Sequence, residues 1–117
     1  MDVLDRLRLD HPVLQAGLGG GIAGVELAAA VAAAGGLGTL GLASPDSWSA
    51  AFGRIREQAP GRAVAVNLLM PFVRRRHVEA CVAGGVDAAV LFFGGDAALV
   101  RTLHEVGVLV LVQVGTE

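Results

Sequence analysis

The sequence predicts an α/β fold of repeated strand–helix units, and three observations carry that expectation. Five apolar runs begin near Pro12, Leu37, Ala63, Ala88 and Val108. All but the last are roughly 25 residues apart, enough for a parallel strand and its crossover, which takes about a dozen residues or more. The joints between units resemble one another: Ala34-Gly35-Gly36-Leu37, Ala83-Gly84-Gly85-Val86 and Val106-Gly107-Val108. Glycine at such a joint ends a helix in a left-handed turn and returns the chain to the sheet. Finally, the chain is 54% hydrophobic with a mean hydropathy of +0.63, and only 17% of it is charged. Soluble domains average about 45–50% and about 25%. The excess suits strands buried on both faces and excludes disorder.

The first unit is the most informative. Pro12-Val-Leu-Gln-Ala16 is an apolar strand that feeds a glycine-rich loop from Gly17 to Gly24. Gly17, Gly19, Gly20 and Gly21 remove side chains where a flat or phosphorylated ligand would touch backbone. An alanine-rich helix follows, then Gly35-Gly36 and a second apolar run. Ser44-Pro45-Asp46 reads as an N-cap, a first-turn proline and an acid near the positive end of a helix. That helix runs to Gln58, with Pro60-Gly61 as its stop. In the next helix Val78, Cys81 and Val82 share a face. Asp96 caps the last, where Leu99, Leu103 and Val106 recur at helical spacing. Strands are therefore expected at 12–16, 37–42, 63–68, 88–93 and 108–113, five in all and parallel, with four intervening helices.

The totals also exclude several functions. At 117 residues the chain holds one domain. A net charge of -2 and a pI near 5.9 give no electrostatic case for nucleic acid or an anionic membrane. Aromatics at 4% provide no base-stacking platform. All 9 basic residues are arginine, so no lysine Schiff base or lysine base can exist here. Cys81 stands alone, which excludes an internal disulfide and a multi-cysteine metal site. Its apolar helical position reads as a packed core thiol. The amino terminus carries no apolar signal core. Leu27 to Pro45 is uncharged, but Gly35, Gly36, Gly38 and Gly41 break it, so it reads as buried helix and strand rather than a membrane span. A cytoplasmic protein is expected.

Two architectures use such units, the doubly wound open sheet and the eight-fold barrel. Gly19, Gly21 and Gly24 can be fitted to the dinucleotide template G-x-G-x-x-G, but so rich a run of glycine fits many templates. The acid wanted about twenty residues on is missing from Leu40-Gly-Leu-Ala43. The two also differ in strand order: sequential crossovers give chain order in a barrel, whereas a Rossmann sheet reverses after its third strand.

Several segments together resemble the nitronate monooxygenase family, which includes the flavin-dependent enoyl-acyl-carrier-protein reductases. The opening strand and loop match in Pro12-Val-Leu-Gln15-Ala16-Gly17-Leu18-Gly19-Gly20. The helix motif matches in Glu26-Leu-Ala-Ala-Ala-Val-Ala-Ala-Ala-Gly-Gly-Leu-Gly38, and the end of the third strand in Val66-Asn67-Leu68. Met70-Pro71-Phe72 echoes the reductase branch. The resemblance runs from His11 to Thr116. It implies a partial TIM-type (βα) barrel that binds FMN across the carboxyl ends of its strands, the face where barrel active sites lie. It carries the family's flavin contacts over to Ala16, Gly17 and Leu18 and to Asn67, with leucine at Leu18 where many relatives have methionine.

A complete barrel takes about 250 residues and at least about 200. Residues 1–117 are thus expected to be the N-terminal portion of a single FMN-dependent barrel domain. The family's later Glu-x-Gly-Gly-His segment, which carries its histidine near the flavin, is absent, so no catalytic residue is assigned. The 117 residues alone are expected to be inactive and to hold FMN weakly or not at all.

The remaining candidates have plainer readings. His11 precedes the first strand, at the face opposite catalysis, and reads as structural or solvated. His77 and His104 read as surface or boundary residues of outer helices, and no histidine pair is spaced as metal ligands. Arg74-Arg75-Arg76 could attract a phosphate or acyl carrier, but consecutive helical residues diverge, so a solvated run is the preferred reading. Asp96 is a cap, and Trp48 is packing or boundary area. Gln113, with Gly115 and Thr116, ends the fifth strand at the functional face, and Gln113 is a further candidate ligand residue.

Two function classes stay open. In one the chain represents an FMN-dependent oxidoreductase acting on alkyl nitronates with molecular oxygen, or on an enoyl thioester. In the other it is a non-catalytic half-barrel. Either way its outer strands would be unpaired, and Val108-Leu-Val-Leu-Val112 would be a flat apolar edge prone to self-association.

Overall fold

Asp2 accepts a hydrogen bond from the Asp5 N–H (2.9 Å) and caps a short helix, α1 (Val3–Arg6). A four-residue helix has no periodicity to betray it, and the sequence gives no sign of this one. The structure is a computed structural model that describes residues 2–17 and 24–115. Leu18 and the glycines at 19–21 lie outside the described residues, as does Thr116. The chain continues through α2 (Val25–Ala33), β1 (Gly38–Leu40), α3 (Pro45–Gln58), β2 (Val64–Leu69), a 3-10 turn (Met70–Phe72), α4 (Arg75–Gly84), β3 (Ala88–Phe92), α5 (Ala97–Glu105) and β4 (Leu109–Val112).

The helix signals hold. Ser44 Oγ accepts from the Ser47 N–H (3.3 Å), and Asp96 Oδ1 accepts from Ala98 (2.8 Å) and Leu99 (3.2 Å). The joint glycines take the left-handed conformation, with φ of 97° at Gly35, 62° at Gly85 and 81° at Gly107.

All four strands are parallel and stand in chain order, β1-β2-β3-β4. The segment expected as a first strand differs. It makes a single parallel bridge, Leu14 to Leu37, on the edge of β1 away from β2. Leu37 N–H donates to the Val13 carbonyl (2.9 Å), and Gln15 N–H donates to the Leu37 carbonyl (3.0 Å). The next peptide of β1 is occupied by a side chain: Gln15 Nε2 donates to the Thr39 carbonyl (2.9 Å) and Gln15 Oε1 accepts from the Thr39 N–H (3.1 Å). The side-chain amide stands where a strand's peptide group would stand, and the backbone ladder stops there.

Helix placement settles the architecture. Ala28 and Ala29 of α2, Trp48, Phe52 and Ile55 of α3, Cys81 of α4 and Leu103 of α5 all pack with Leu40, Val66, Leu68, Ala89 and Leu91 in one core. The helices thus cover a single face. A doubly wound sheet has them on both faces, so this sheet is part of a (βα) barrel wall. The opposite, inner face carries Leu37, Ala63, Ala65 and Ala88, and Leu7 from the segment after α1 covers it.

The amino ends of the strands are stitched together by charge. Arg8 pairs with Asp87 (3.1 Å), whose other oxygen accepts from the Val64 N–H (2.8 Å). Arg62 pairs with Asp10 (2.8 Å), and its hydrogen bond and charge hold the Asp10 carboxyl below the usual carboxylate range. Both pairs reach solvent, which screens them, so each contributes little to stability. Among the described residues no helix is long and apolar enough to cross a membrane.

The two kinds of contact at this end should separate in equilibrium urea unfolding. Leu7 is 1% exposed, and Leu7→Ala is expected to lower stability by about 2–5 kcal/mol. Arg62→Ala, which removes the solvent-screened pair with Asp10 and a hydrogen bond to the Arg8 carbonyl, is expected to lower it far less.

Candidate functional site

Strand alternation decides which side chains face away from the helices. Ala63 and Ala65 do so on β2, and Asn67 follows two residues later. The register pairs Asn67 with Val90 of β3 and Val90 with Leu111 of β4, so these three form one row across the inner face, near the carboxyl ends of the strands. One row below lie Thr39, Ala65, Ala88 and Leu109.

Asn67 is 2% exposed. Its Nδ2 donates to the Gly17 carbonyl (3.1 Å), and its Oδ1 is buried with no hydrogen-bond partner among the described residues. A buried carbonyl oxygen left unpaired costs about 1–3 kcal/mol, which is the mark of an acceptor kept for a ligand or a water. Gly17 is the residue that permits the approach, because a Cβ there would collide with the Asn67 side chain. The sequence expectation that Asn67 and the backbone after the first strand meet at one end of the sheet therefore holds for Gly17. Ala16 is exposed beside it.

Gln113 lies just past β4, exposed, with its N–H donated to the Leu91 carbonyl (2.8 Å). It extends the alternation of Leu109 and Leu111 and so belongs to the same face. The structure brings Gly17 and Asn67 into contact and sets Gln113 two strands away. Leu18 falls outside the described residues. Thr39 escaped the sequence reading: it is fully buried on this face, its hydroxyl without a partner among the described residues. Gln15, quoted in the opening motif but given no role, binds Thr39 through its side chain. A glutamine inside a run otherwise apolar was the available signal for it.

The loop after β1 is held by two rings. Trp48, 1% exposed, donates its Nε1–H to the Gly41 carbonyl (3.1 Å). His77 corrects the sequence reading, which placed it at the surface or boundary: it is buried at 7% exposure. It sits in the first turn of α4, where Nδ1 accepts from the Arg74 N–H (2.9 Å) and Nε2 lies 2.8 Å from the Ala43 carbonyl. Those two partners require the neutral ring with its proton on Nε2. The β1–α3 loop folds back onto the ring, and helical position alone could not reveal that. His11 and His104 are exposed, and Arg74, Arg75 and Arg76 are solvated, with Arg75 paired to Glu79 and Arg76 to Asp46.

A cavity of about 360 Å³ lies on the helix side, between α2 and α3, lined by Val25, Gly41, Trp48, Ala51 and Arg54 among others. None of the residues expected to bind ligand lines it. The inner face carries the more telling chemistry, since its buried acceptor lacks a partner while the cavity's walls are mostly apolar. Among the described residues no cluster of His, Cys, Asp or Glu could hold a metal.

A parallel sheet in chain order, helices on one face and a buried amide near the strands' carboxyl ends define part of a (βα) barrel, the class whose active sites lie at that end. The nitronate monooxygenase family model matches residues 2–74, and the chain belongs to that family. FabK from Thermotoga maritima superposes with a TM-score of 0.85 at 30% identity, over 97% of this chain and 37% of that one. Nitroalkane oxidase from Streptomyces ansochromogenes superposes with a TM-score of 0.80 at 26% identity, over 95% of this chain and 42% of that one. The chain thus spans about two fifths of these structures, 37% and 42%. No curated protein matches it.

Cysteine chemistry at this site is excluded by burial. Cys81 is fully buried in the helix-side core, and burial pushes its thiol up from the ordinary 9.0 to about 12. Native protein at pH 8 should therefore resist a thiol reagent such as Ellman's and react fully once urea unfolds it. Because the folded thiol keeps its proton where the unfolded one loses it, this group should lower stability as the pH rises from about 9 to about 12. Replacing Cys81 with alanine should remove that part of the alkaline loss in urea titrations across the range.

Proposed function

We propose that residues 1–117 are the N-terminal portion of a single FMN-dependent barrel domain, and that the enzyme is a cytoplasmic oxidoreductase that oxidises alkyl nitronates with molecular oxygen. The observation that carries the reading is Asn67: a buried amide at the carboxyl end of β2, its Nδ2 tied to Gly17 and its Oδ1 without a partner. That donor set fits a flavin edge, which presents a ring N–H beside carbonyl oxygens. Asn67 Oδ1 would accept the N–H, the family resemblance would put the backbone of Ala16, Gly17 and Leu18 beside the ring, and Gln113 would approach the ligand from the end of β4. Ala16 to Leu18 leaves no bulky polar group to displace. When bound, FMN supplies the acceptance of electrons from the nitronate and their transfer to oxygen.

The chain's own residues orient and exclude. Val90 lies beside Asn67 in its row and Leu111 beyond it, so a hydrogen bond from Asn67 to a ligand would form beside apolar side chains, where it is stronger than in water. The Asn67–Gly17 bond fixes which end of the amide faces the ligand.

A second reading is favoured by the segment after β2. Met70-Pro71-Phe72 forms the 3-10 turn that follows Asn67 by three residues, and Phe72 is 60% exposed. This sequence echoes the reductase branch of the family and suits an enoyl-acyl-carrier-protein substrate. Oxygen uptake driven by an alkyl nitronate supports the first reading; oxidation of a nicotinamide driven by an enoyl thioester supports the second.

Cofactor binding is tested on the ¹⁵N-labelled chain by adding FMN and following amide signals, which registers weak binding. Shifts are expected at Ala16, Gly17, the Asn67 side chain and Gln113, and Asn67→Leu is expected to weaken the response about tenfold, the loss of one well-placed hydrogen bond in an apolar setting. Shifts confined to the cavity around Trp48 and Arg54 would refute the assignment.

We further infer self-association through the strand edges. Val112 at the end of β4 and Val114 just beyond it are 54% and 72% exposed. Sedimentation of the 117-residue chain is expected to show concentration-dependent oligomers, and Val112→Lys is expected to shift the population toward monomer.

A further inference from the structure

We propose that Gln15 is a positioning residue for this site, and that its side-chain amide acts as a substitute peptide group that sets the direction of Asn67. The proposal rests on the flavin reading above and extends it to a residue that touches no ligand. A backbone strand running on from Leu14 would offer its own N–H and C=O to Thr39. Instead, Gln15 Nε2 and Oε1 take both Thr39 groups, at 2.9 and 3.1 Å, while Gln15 N–H remains on the Leu37 carbonyl at 3.0 Å. One residue therefore binds two successive inward-turned peptides of β1, at 37 and 39.

The consequence falls on the next residues. With its ladder closed by a side chain, the backbone is released from the strand at Ala16, and Gln15 Nε2 also lies 3.4 Å from the Ala16 carbonyl. The chain then turns so that the Gly17 carbonyl reaches Asn67 Nδ2 at 3.1 Å. Had the strand continued, the carbonyl groups of this segment would be spent on β1. Asn67 would then have no fixed acceptor, and its amide could present either end to the ligand. The path from Gln15 through Ala16 and Gly17 to Asn67 is continuous, and each link is a hydrogen bond or a peptide bond. No charged group takes part, so the orientation of Asn67 is independent of pH around neutrality.

Two substitutions in the ¹⁵N-labelled 117-residue chain test this. Gln15→Leu keeps bulk and removes both hydrogen bonds. Exchange of the Thr39 amide is expected to accelerate by more than about tenfold. The Asn67 side-chain amide signals are expected to move toward those of a free amide, while the Val66 and Leu91 amides of the central strands keep their protection. Gln15→Glu adds a readout that a merely structural role would not produce. Its carboxyl, when protonated, can donate to the Thr39 carbonyl and accept from the Thr39 N–H. When ionised it sets an oxygen against that carbonyl. The Asn67 signals of this variant are expected to return to the wild-type position as the pH falls from about 7 to about 4, while those of the wild type stay constant.

Loss of Thr39 protection with the Asn67 signals unmoved would overturn the proposal, as would uniform loss across β2 and β3 or a pH-independent Gln15→Glu variant. Added FMN separates the two readings. If it shifts nothing in the wild type, the flavin assignment fails while the coupling of Gln15 to Asn67 is still decided by exchange. If it binds the wild type, Gln15→Leu is expected to weaken it about tenfold.

Discussion

Every crossover in this chain turns the same way, and the whole arrangement of the molecule depends on that. Right-handed connections between neighbouring parallel strands deliver each helix to the same side of the sheet. One face is therefore buried under α2 to α5, while none of these helices covers the other. Small residues on that second face, Ala63, Ala65 and Ala88, let strands curve toward one another as a barrel wall requires. The same constraint gathers the start of every intervening helix, and every loop that precedes one, at the carboxyl ends of the strands. The positive ends of the helix dipoles meet there, which is where a ligand with anionic groups is best received.

The two ends of the sheet are built from different interactions. Ionised groups stitch the amino end: Arg8 with Asp87, Arg62 with Asp10, and Arg6 with the Gly107 carbonyl. The inner row and the β1–α3 loop at the carboxyl end are held instead by neutral donors and acceptors, Gln15 on Thr39, Asn67 on Gly17, Trp48 on Gly41 and His77 on Ala43. These groups fix geometry there through directed hydrogen bonds rather than through ion pairs. The ion pairs near this end, Arg76 with Asp46 and Arg75 with Glu79, lie on exposed helix residues.

What the sequence made legible was local. Ser44-Pro45-Asp46 and Asp96 announced their helices because a cap acts within three residues, and the joint glycines announced left-handed turns for the same reason. Strand order followed from the even spacing of the units and a handedness rule. Asn67 and Gly17 could be named from family motifs, but their contact spans fifty positions and emerged only with the fold. Three features were missed, each through a long-range partner. Leu7 is buried because α1 folds across the inner face. His77 is buried because a loop thirty-four positions away covers it. The first strand shrinks to one bridge because a side chain competes with its own backbone for Thr39, which periodicity cannot foresee.

The inner face also explains why the site begins where it does. In the row of Thr39, Ala65, Ala88 and Leu109, the two central positions are alanine. Such a row leaves space that water could not occupy without polar partners. Leu7 fills that space from the amino end, with Leu9 beside it. The row above, with Asn67 between Val90 and the edge of β1, then rests on this packing. In that row lies the buried Asn67 Oδ1, without a partner among the described residues. The N-terminal segment thus packs beneath the row of Asn67 from the opposite end of the sheet. A cavity opened beneath Asn67 by truncating Leu7 would let the amide sink or hydrate. Stability at one end and orientation at the other are therefore coupled through two alanines and a leucine.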